Sequence, residues 1–295
     1  MATFVLLGDP VGQSVSPAMH NAAFAAQNLS HHYQAEHTPL SALSNALHRL
    51  RQGEWSGANV TIPHKQAVLP YLDQLTALAA QVGAVNTIWR TADGLLCGDN
   101  TDVGGFLADL ADQTAQAGWV TQWQGQPVVV LGAGGSARAV LAGLHHTGSP
   151  LRLVARDQNA AQTLVETLGL PNCRVYPYTT TGLAAATADA ALAINCTPLG
   201  MFPHQAASPW LPDVAVPAGL FAYDLIYNPS ETQWIAQVRA AGALGCTGLG
   251  MLVQQGALAY QRWVGQMPPL AVMLAAARAK LAQKDAQRPL SNTSH

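Results

Sequence analysis

Short apolar runs ending in Gly, Asn or Asp alternate along the chain with longer Ala- and Leu-rich stretches of helical period, the rhythm of an α/β protein with mainly parallel sheets. The run FVLL at residues 4–7 predicts a first strand, followed by a loop and a helix over residues 17–27. ANVT at residues 58–61 predicts another strand, with Pro63 suited to the first turn of a following helix and Lys65 on that turn. A cation there opposes the helix dipole, so local structure alone gives Lys65 no reason for its place. VVVL at residues 128–131 is continuous and apolar, as a strand covered on both faces requires. Behind it come a helix in GAGGSARAVLAGLHHTG, the strand LRLVA, a helix near residues 160–168, the strand RVYPY, a helix near Leu183 and the strand ADAALAINC. That succession predicts one doubly wound unit. The stretch after Thr232 reads as helical again, and residues 284–295 read as a frayed tail.

A length of 295 residues suits two domains of roughly 100 to 200 residues each. Apolar residues make up 49% and charged residues 10%, with a net charge of -2, so a core is readily supplied and no basic surface advertises nucleic acid. A small molecule is the expected partner. Cys97, Cys173, Cys196 and Cys246 form no C-x-x-C pair and read as free, buried thiols of a reducing cytosol. The start MATFVLLGDPVG lacks the charged beginning and long apolar centre of a signal peptide, and no window offers the roughly 20 apolar residues of a membrane span. A soluble, cytoplasmic protein is expected. The pairs His31-His32 and His145-His146 suggest a metal, but neighbours on a helix do not converge on one ion, and no metal is assigned.

Gly132-Ala133-Gly134-Gly135-Ser136-Ala137 matches G-x-G-x-x-[GA] between an apolar strand and a helix. Glycines there permit a tight turn and close approach of a pyrophosphate, which the helix N-terminus binds through backbone N–H groups. A glycine-rich turn also occurs for packing alone. The residues that select the cofactor belong at the end of the next strand, where the chain reads Ala155-Arg156-Asp157. Arg favours a 2'-phosphate and NADP; an acidic residue favours a free 2'-hydroxyl and NAD. Asp157 also reads as an N-cap of the next helix.

Eight stretches in order resemble the shikimate dehydrogenases: GDPVGQSVSPAMHN, GANVTIPHK, GAVNT, GDNTDVGGF, GAGGSAR, NCTPLGM, YDLIYNP and GLGMLVQQGA. The resemblance runs from Phe4 to about Trp263. It implies an α/β protein of two domains: an N-terminal substrate domain with a mainly parallel sheet, residues 1–103 and 247–290, and an inserted Rossmann-like NADP-binding domain, residues 104–246, with residues 291–295 as a tail. The reaction implied is reversible reduction of 3-dehydroshikimate to shikimate by NADPH, in chorismate and aromatic amino-acid biosynthesis, by a monomer or homodimer. Lys65 is the family's catalytic residue, and Asp102 is read as its partner. The resemblance assigns the substrate carboxylate to Ser14 and Ser16, the ring hydroxyls to Thr61, Asn86 and Asp102, and closure of the site to Tyr227 and Gln255. Asn59 and Thr61, two apart on a strand, face one side and reach the same ligand. Cofactor contacts are implied at Gly132, Ala133, Gly134, Gly135 and Ser136, at Ala155, Arg156 and Asp157, and at Thr197, Leu225 and Gly248.

Two departures from the family pattern stand out. Gln13 occupies a position often held by His, which is expected to alter loop packing rather than chemistry. At the ribose site one basic residue, Arg156, remains of two, with Ala160 at the second place, so NADP is expected with NAD as a weaker alternative. Reducing a ketone by hydride leaves negative charge on its oxygen, which a positioned ammonium either protonates or stabilises electrostatically. Asp102 reads equally well as a cap of the helix entered at Val103. Ser14 and Ser16 read as turn residues and Tyr227 as a packing residue. Two other functions remain open: an NAD-dependent quinate/shikimate dehydrogenase, and a sensor that binds such acids without turning them over. Retention of Lys65 and Asp102 argues against the sensor.

Overall fold

The computed structural model describes residues 1–119 and 123–286. The first half contains β1 (Thr3–Gly8), α1 (Ser16–Ala26), β2 (His32–His37), α2 (Leu43–Arg51), β3 (Gly57–Val60), β4 (Gln74–Leu75), α3 (Ala77–Val82), β5 (Thr87–Arg90) and β6 (Leu96–Asp99). Its strands form one sheet in the order β2-β1-β3-β5-β6-β4. β5 runs antiparallel to both its neighbours, and the other pairings are parallel. Central β1 is buried nearly throughout, whereas edge strand β2 alternates. One-sided burial is what an edge position allows.

α4 (Thr101–Gln116) leads into the second sheet. There follow β7 (Val128–Leu131), α5 (Gly135–Leu144), β8 (Leu151–Ala155), α6 (Gln158–Thr167), β9 (Cys173–Pro177), α7 (Thr180–Thr187), β10 (Leu192–Asn195), β11 (Phe221–Asp224), α8 (Gln233–Ala240) and β12 (Leu244–Thr247). The order is β12-β11-β10-β7-β8-β9, every pair parallel. The winding reverses between β7 and β10, and ligands of such sheets bind at the carboxyl ends beside that reversal. α9 (Leu249–Val264) and α10 (Leu270–Ala286) then return to the first sheet, where Val253, Ala257, Tyr260, Met273 and Ala277 close over Phe4, Leu6, Met19 and Phe24.

Four local expectations are corrected. No helix follows β3: the chain makes turns and a short 3-10 helix, Leu69–Tyr71. The Lys65 carbonyl accepts from the Val85 N–H at 2.8 Å, outside its own segment, so an α-helical ladder does not propagate there. Lys65 therefore opposes no helix dipole. The stretch after Thr232 is interrupted by β12, and α10 continues to Ala286, with Lys284 Nζ donating to the Gln13 carbonyl. The remainder of the expected tail, residues 287–295, lies outside the described residues. All four cysteines are free, but only Cys97 is buried; the other three are half-buried.

Candidate active site

The carboxyl ends of β1, β3 and β6 and the amino end of antiparallel β5 lie side by side, which brings four sequence-distant segments together. From the loop after β3, Lys65 Nζ donates to Asp102 Oδ2 at 2.6 Å. Asp102 sits in the first turn of α4, where a carboxylate is favoured, but its oxygens take side-chain donors. Its other oxygen, Oδ1, accepts from Asn86 Nδ2 at 2.9 Å, and no side chain caps α4 at Asn100. The capping reading of Asp102 fails on this geometry. Both partners are largely covered, with Lys65 15% and Asp102 8% exposed, and such a pair is screened less than a surface one.

Asn86 is the hub. Its Nδ2 also lies 2.9 Å from Thr101 Oγ1 and 3.3 Å from Gln255 Oε1 on α9, while its Oδ1 accepts from the Thr101 N–H at 2.8 Å and from Thr87 Oγ1 at 3.0 Å. Gln254, the neighbour of Gln255, turns away to Asp112. Asn59, expected to face a ligand, is buried with its amide engaged: Oδ1 accepts from the Tyr33 hydroxyl at 2.8 Å, and Nδ2 donates to the Asn86 carbonyl and Thr87 Oγ1, both at 3.1 Å. It braces Asn86 from behind. Ser14 Oγ donates to Ser16 Oγ at 3.1 Å, and the Ser16 N–H also donates to Ser14 Oγ. Thr61 follows β3 with its N–H on the Leu7 carbonyl, next to the β1 loop that leads to the two serines.

In the second sheet, β7 runs into the glycine turn. Gly132 has φ +98°, a conformation natural to glycine, and a Cβ there would come within 2.9 Å of Thr197 Cγ2. No side chain caps α5 at Gly134, so the first-turn N–H groups, including those of Gly135 and Ser136, lack intrahelical partners. That is the donor set a pyrophosphate requires, and Ala133 lies half-buried within it. Ala155 is buried at the end of β8, Arg156 is exposed, and Asp157 caps α6 through the Ala160 N–H at 2.9 Å. The capping reading of Asp157 holds. A Cβ on Gly135 would lie 3.9 Å from Lys65 Cδ, so the lysine stem runs beside the glycine turn. Arg138 on α5 further ties the two sheets by donating to the Val82 carbonyl at the end of α3. Leu225 follows β11 against Gly248, and half-buried Tyr227 reaches back to the core formed by β1, α1, α9 and α10.

Comparisons with known proteins agree with one another. Residues 6–88 match the shikimate dehydrogenase substrate binding domain, and residues 248–278 match the shikimate 5'-dehydrogenase C-terminal domain. A shikimate dehydrogenase (NADP(+)) of Salinibacter ruber is 42% identical over 281 residues, 93% of this chain and 96% of that protein. The chain belongs to the shikimate dehydrogenase family. Shikimate 5-dehydrogenase from Thermus thermophilus, solved in complex with NADP(H) and shikimate, superposes with a TM-score of 0.83 at 37% identity, covering 95% of this chain and all of that one. A quinate dehydrogenase from Corynebacterium glutamicum, solved with NAD, has a TM-score of 0.84 at 29% identity, covering 94% and 99%. The fold is thus shared by proteins named for more than one activity.

Sequence reasoning missed several members of the Asn86 network. Thr87 and Thr101 lay inside the stretches GAVNT and GDNTDVGGF and could have been singled out there. Tyr33 carried no local signal, since its partner Asn59 is 26 residues away.

Proposed function

We propose that this chain catalyses the reversible reduction of 3-dehydroshikimate to shikimate with NADPH, with Lys65 as general acid in reduction and general base in oxidation. It is an oxidoreductase of the shikimate dehydrogenase (NADP+) family. The observation that carries the catalytic reading is the covered Lys65–Asp102 pair beside the glycine turn: an ammonium held by a carboxylate, within reach of both ligand regions. NADPH, when bound, supplies the hydride. Lys65 then meets the charge that develops on the ketone oxygen, and Asp102 fixes the ammonium's direction while keeping Oδ1 on Asn86.

Ser14 and Ser16 hold the substrate carboxylate, Thr61, Asn86 and Asp102 the ring hydroxyls, and Tyr227 and Gln255 close the site. Asn59 acts from behind, through Asn86. The residues that fit the cofactor are Gly132, Ala133, Gly134, Gly135 and Ser136 at the pyrophosphate, Ala155, Arg156 and Asp157 at the adenosine ribose, and Thr197, Leu225 and Gly248 at the nicotinamide. In this reading residues 1–103 and 247–290 form the substrate domain and residues 104–246 the cofactor domain. Arg156, a cation at the end of β8, supports NADP over NAD, because it can pair with a 2'-phosphate. Among the described residues no helix is long and apolar enough to cross a membrane.

The test is a set of initial rates with shikimate and quinate, each against NADP and NAD. Shikimate with NADP well ahead is the expected result. Comparable rates with quinate and NAD would replace this reading by the catabolic one, for which the resemblance to quinate dehydrogenase is the supporting observation.

A further inference from the structure

The carboxyl end of β11 carries a buried carboxylate that the chemistry above does not use. Asp224 is 0% exposed and accepts three hydrogen bonds from three segments. Asn195 Nδ2, at the end of β10, donates at 2.9 Å; the Ile226 N–H donates at 3.0 Å; and Thr232 Oγ1, the N-cap of α8, donates to the other carboxylate oxygen at 2.7 Å. Asn195 passes the restraint on, since its Oδ1 accepts from the Thr197 N–H at 2.9 Å and the Thr197 hydroxyl at 2.7 Å. Ile226 passes it on as well, because its carbonyl accepts from the Gly248 N–H at 3.0 Å. A Cβ on Gly248 would stand 2.3 Å from the Leu225 carbonyl oxygen, so this contact leaves no slack. Together with the Leu225 N–H on the Asn195 carbonyl at 3.1 Å, this carboxylate ties Thr197, Leu225 and Gly248 into one unit.

Those three residues border the strand ends on the β10–β11 side of the winding reversal, while the glycine turn lies on the β7 side. A dinucleotide whose pyrophosphate lies on the turn extends its reactive ring over that first side. We propose that Asp224 is a positioning residue for hydride transfer: it fixes the floor under the nicotinamide end of the cofactor without touching the cofactor. The adjacent residue distinguishes this from general packing. The Tyr223 hydroxyl donates to buried Asp109 on α4, so neighbouring positions of β11 serve different partners; Asp224 adds a side-chain link between the two loops to the backbone bond from the Leu225 N–H to the Asn195 carbonyl.

The inference rests on the cofactor reading given above, which wild-type turnover with NADP tests independently. The decisive variant is Asp224→Asn, similar in size but bringing an N–H₂ group among three donors. With both substrates saturating, kcat is expected to fall at least tenfold, since a reacting pair displaced by about 1 Å can lose about 100-fold. The KM for shikimate and the inhibition constant of 2',5'-ADP, which lacks the nicotinamide, should each change by less than about threefold. Retained kcat would overturn the proposal, and so would a parallel loss of 2',5'-ADP binding, which marks a structural defect of the whole unit. If Asp224→Asn shows no cooperative melt, Thr232→Val removes one donor and Thr232→Ser restores it. A kcat lowered in the first and recovered in the second supports the proposal; equal kcat in both overturns it.

Discussion

The two halves of the candidate site are braced in opposite ways. On the substrate side the groups assigned to the ligand bond to one another: Lys65 to Asp102, Asp102 to Asn86, Asn86 to Gln255. On the cofactor side the surface offered to the ligand is largely backbone at the glycine turn, and the side chains that bond together, Asp224, Asn195 and Thr232, are buried on the β10–β11 side of the winding reversal. A network of contacting groups presets charge and proton positions, whereas a buried brace presets only shape. The first half should therefore fail chemically when altered, and the second geometrically.

The largest expected effect lies in the first half. Replacing Lys65 by Ala or Met should lower kcat by about 10²- to 10⁴-fold with a modest change in shikimate KM, because a positioned proton donor acts mainly in the transition state. Turnover close to wild type in single-turnover assays would remove Lys65 from the chemistry altogether. Asp102→Asn keeps the shape but leaves the ammonium without its carboxylate. A lost charge-assisted hydrogen bond of about 1.5 to 3 kcal/mol predicts a fall in kcat/KM of roughly 10- to 100-fold. An equal fall in both variants would mean that the pair acts as one unit.

The same contrast explains what could be read from the chain. The second sheet was legible strand by strand from β7 to β10 because β7 and β10 are buried apolar runs, β8 and β9 are short runs broken by a single arginine each, and each helix begins at a small or capping residue, as at Asp157 and Thr179. β12 escaped, since LGCT is an edge strand with an exposed Leu244 and no apolar run. The segment after β3 was misread because the Lys65 carbonyl, which a helix would use locally, bonds instead to Val85, 20 residues away, which no local pattern encodes. Lys65, Asp102, Asn86 and Gln255 were legible through the family resemblance, yet the role of Asn59 was not. A strand residue's alternation tells which face it takes, and Asn59 takes a face on which Tyr33 and Thr87 already occupy its amide.

A smaller effect tests whether the cofactor half has any side chain that discriminates by charge. Arg156 is exposed at the end of β8, so its contribution is limited by solvent. Arg156→Ala is expected to raise the KM for NADP about fivefold to tenfold while leaving that for NAD within about twofold, since only NADP carries the 2'-phosphate. Equal shifts for the two cofactors would assign Arg156 to the adenine or to loop structure instead, and the source of NADP preference would then lie elsewhere.

The smallest effect on turnover is a titration, and it separates shape from charge in the second half. Burial pushes the Asp224 carboxyl up to about 6, and the titratable groups close enough to sense its charge are the Cys196 and Cys246 thiols, themselves pushed up by burial. A carboxyl whose folded value exceeds its unfolded one contributes stability that is fully present below the unfolded value and is lost as pH rises through about 6. Acidification from neutrality towards pH 5 should thus stabilise the fold through this group. Protonation, however, takes away an acceptor needed by Thr232, Ile226 or Asn195, so turnover should fall by roughly twofold near the midpoint. Stability and activity move in opposite directions, which ordinary acid unfolding does not produce. The comparison is between wild type and a folded Asp224→Asn variant, in which both trends should vanish. A midpoint near pH 6 that survives in the variant would belong to another group, and the brace would then act by shape alone.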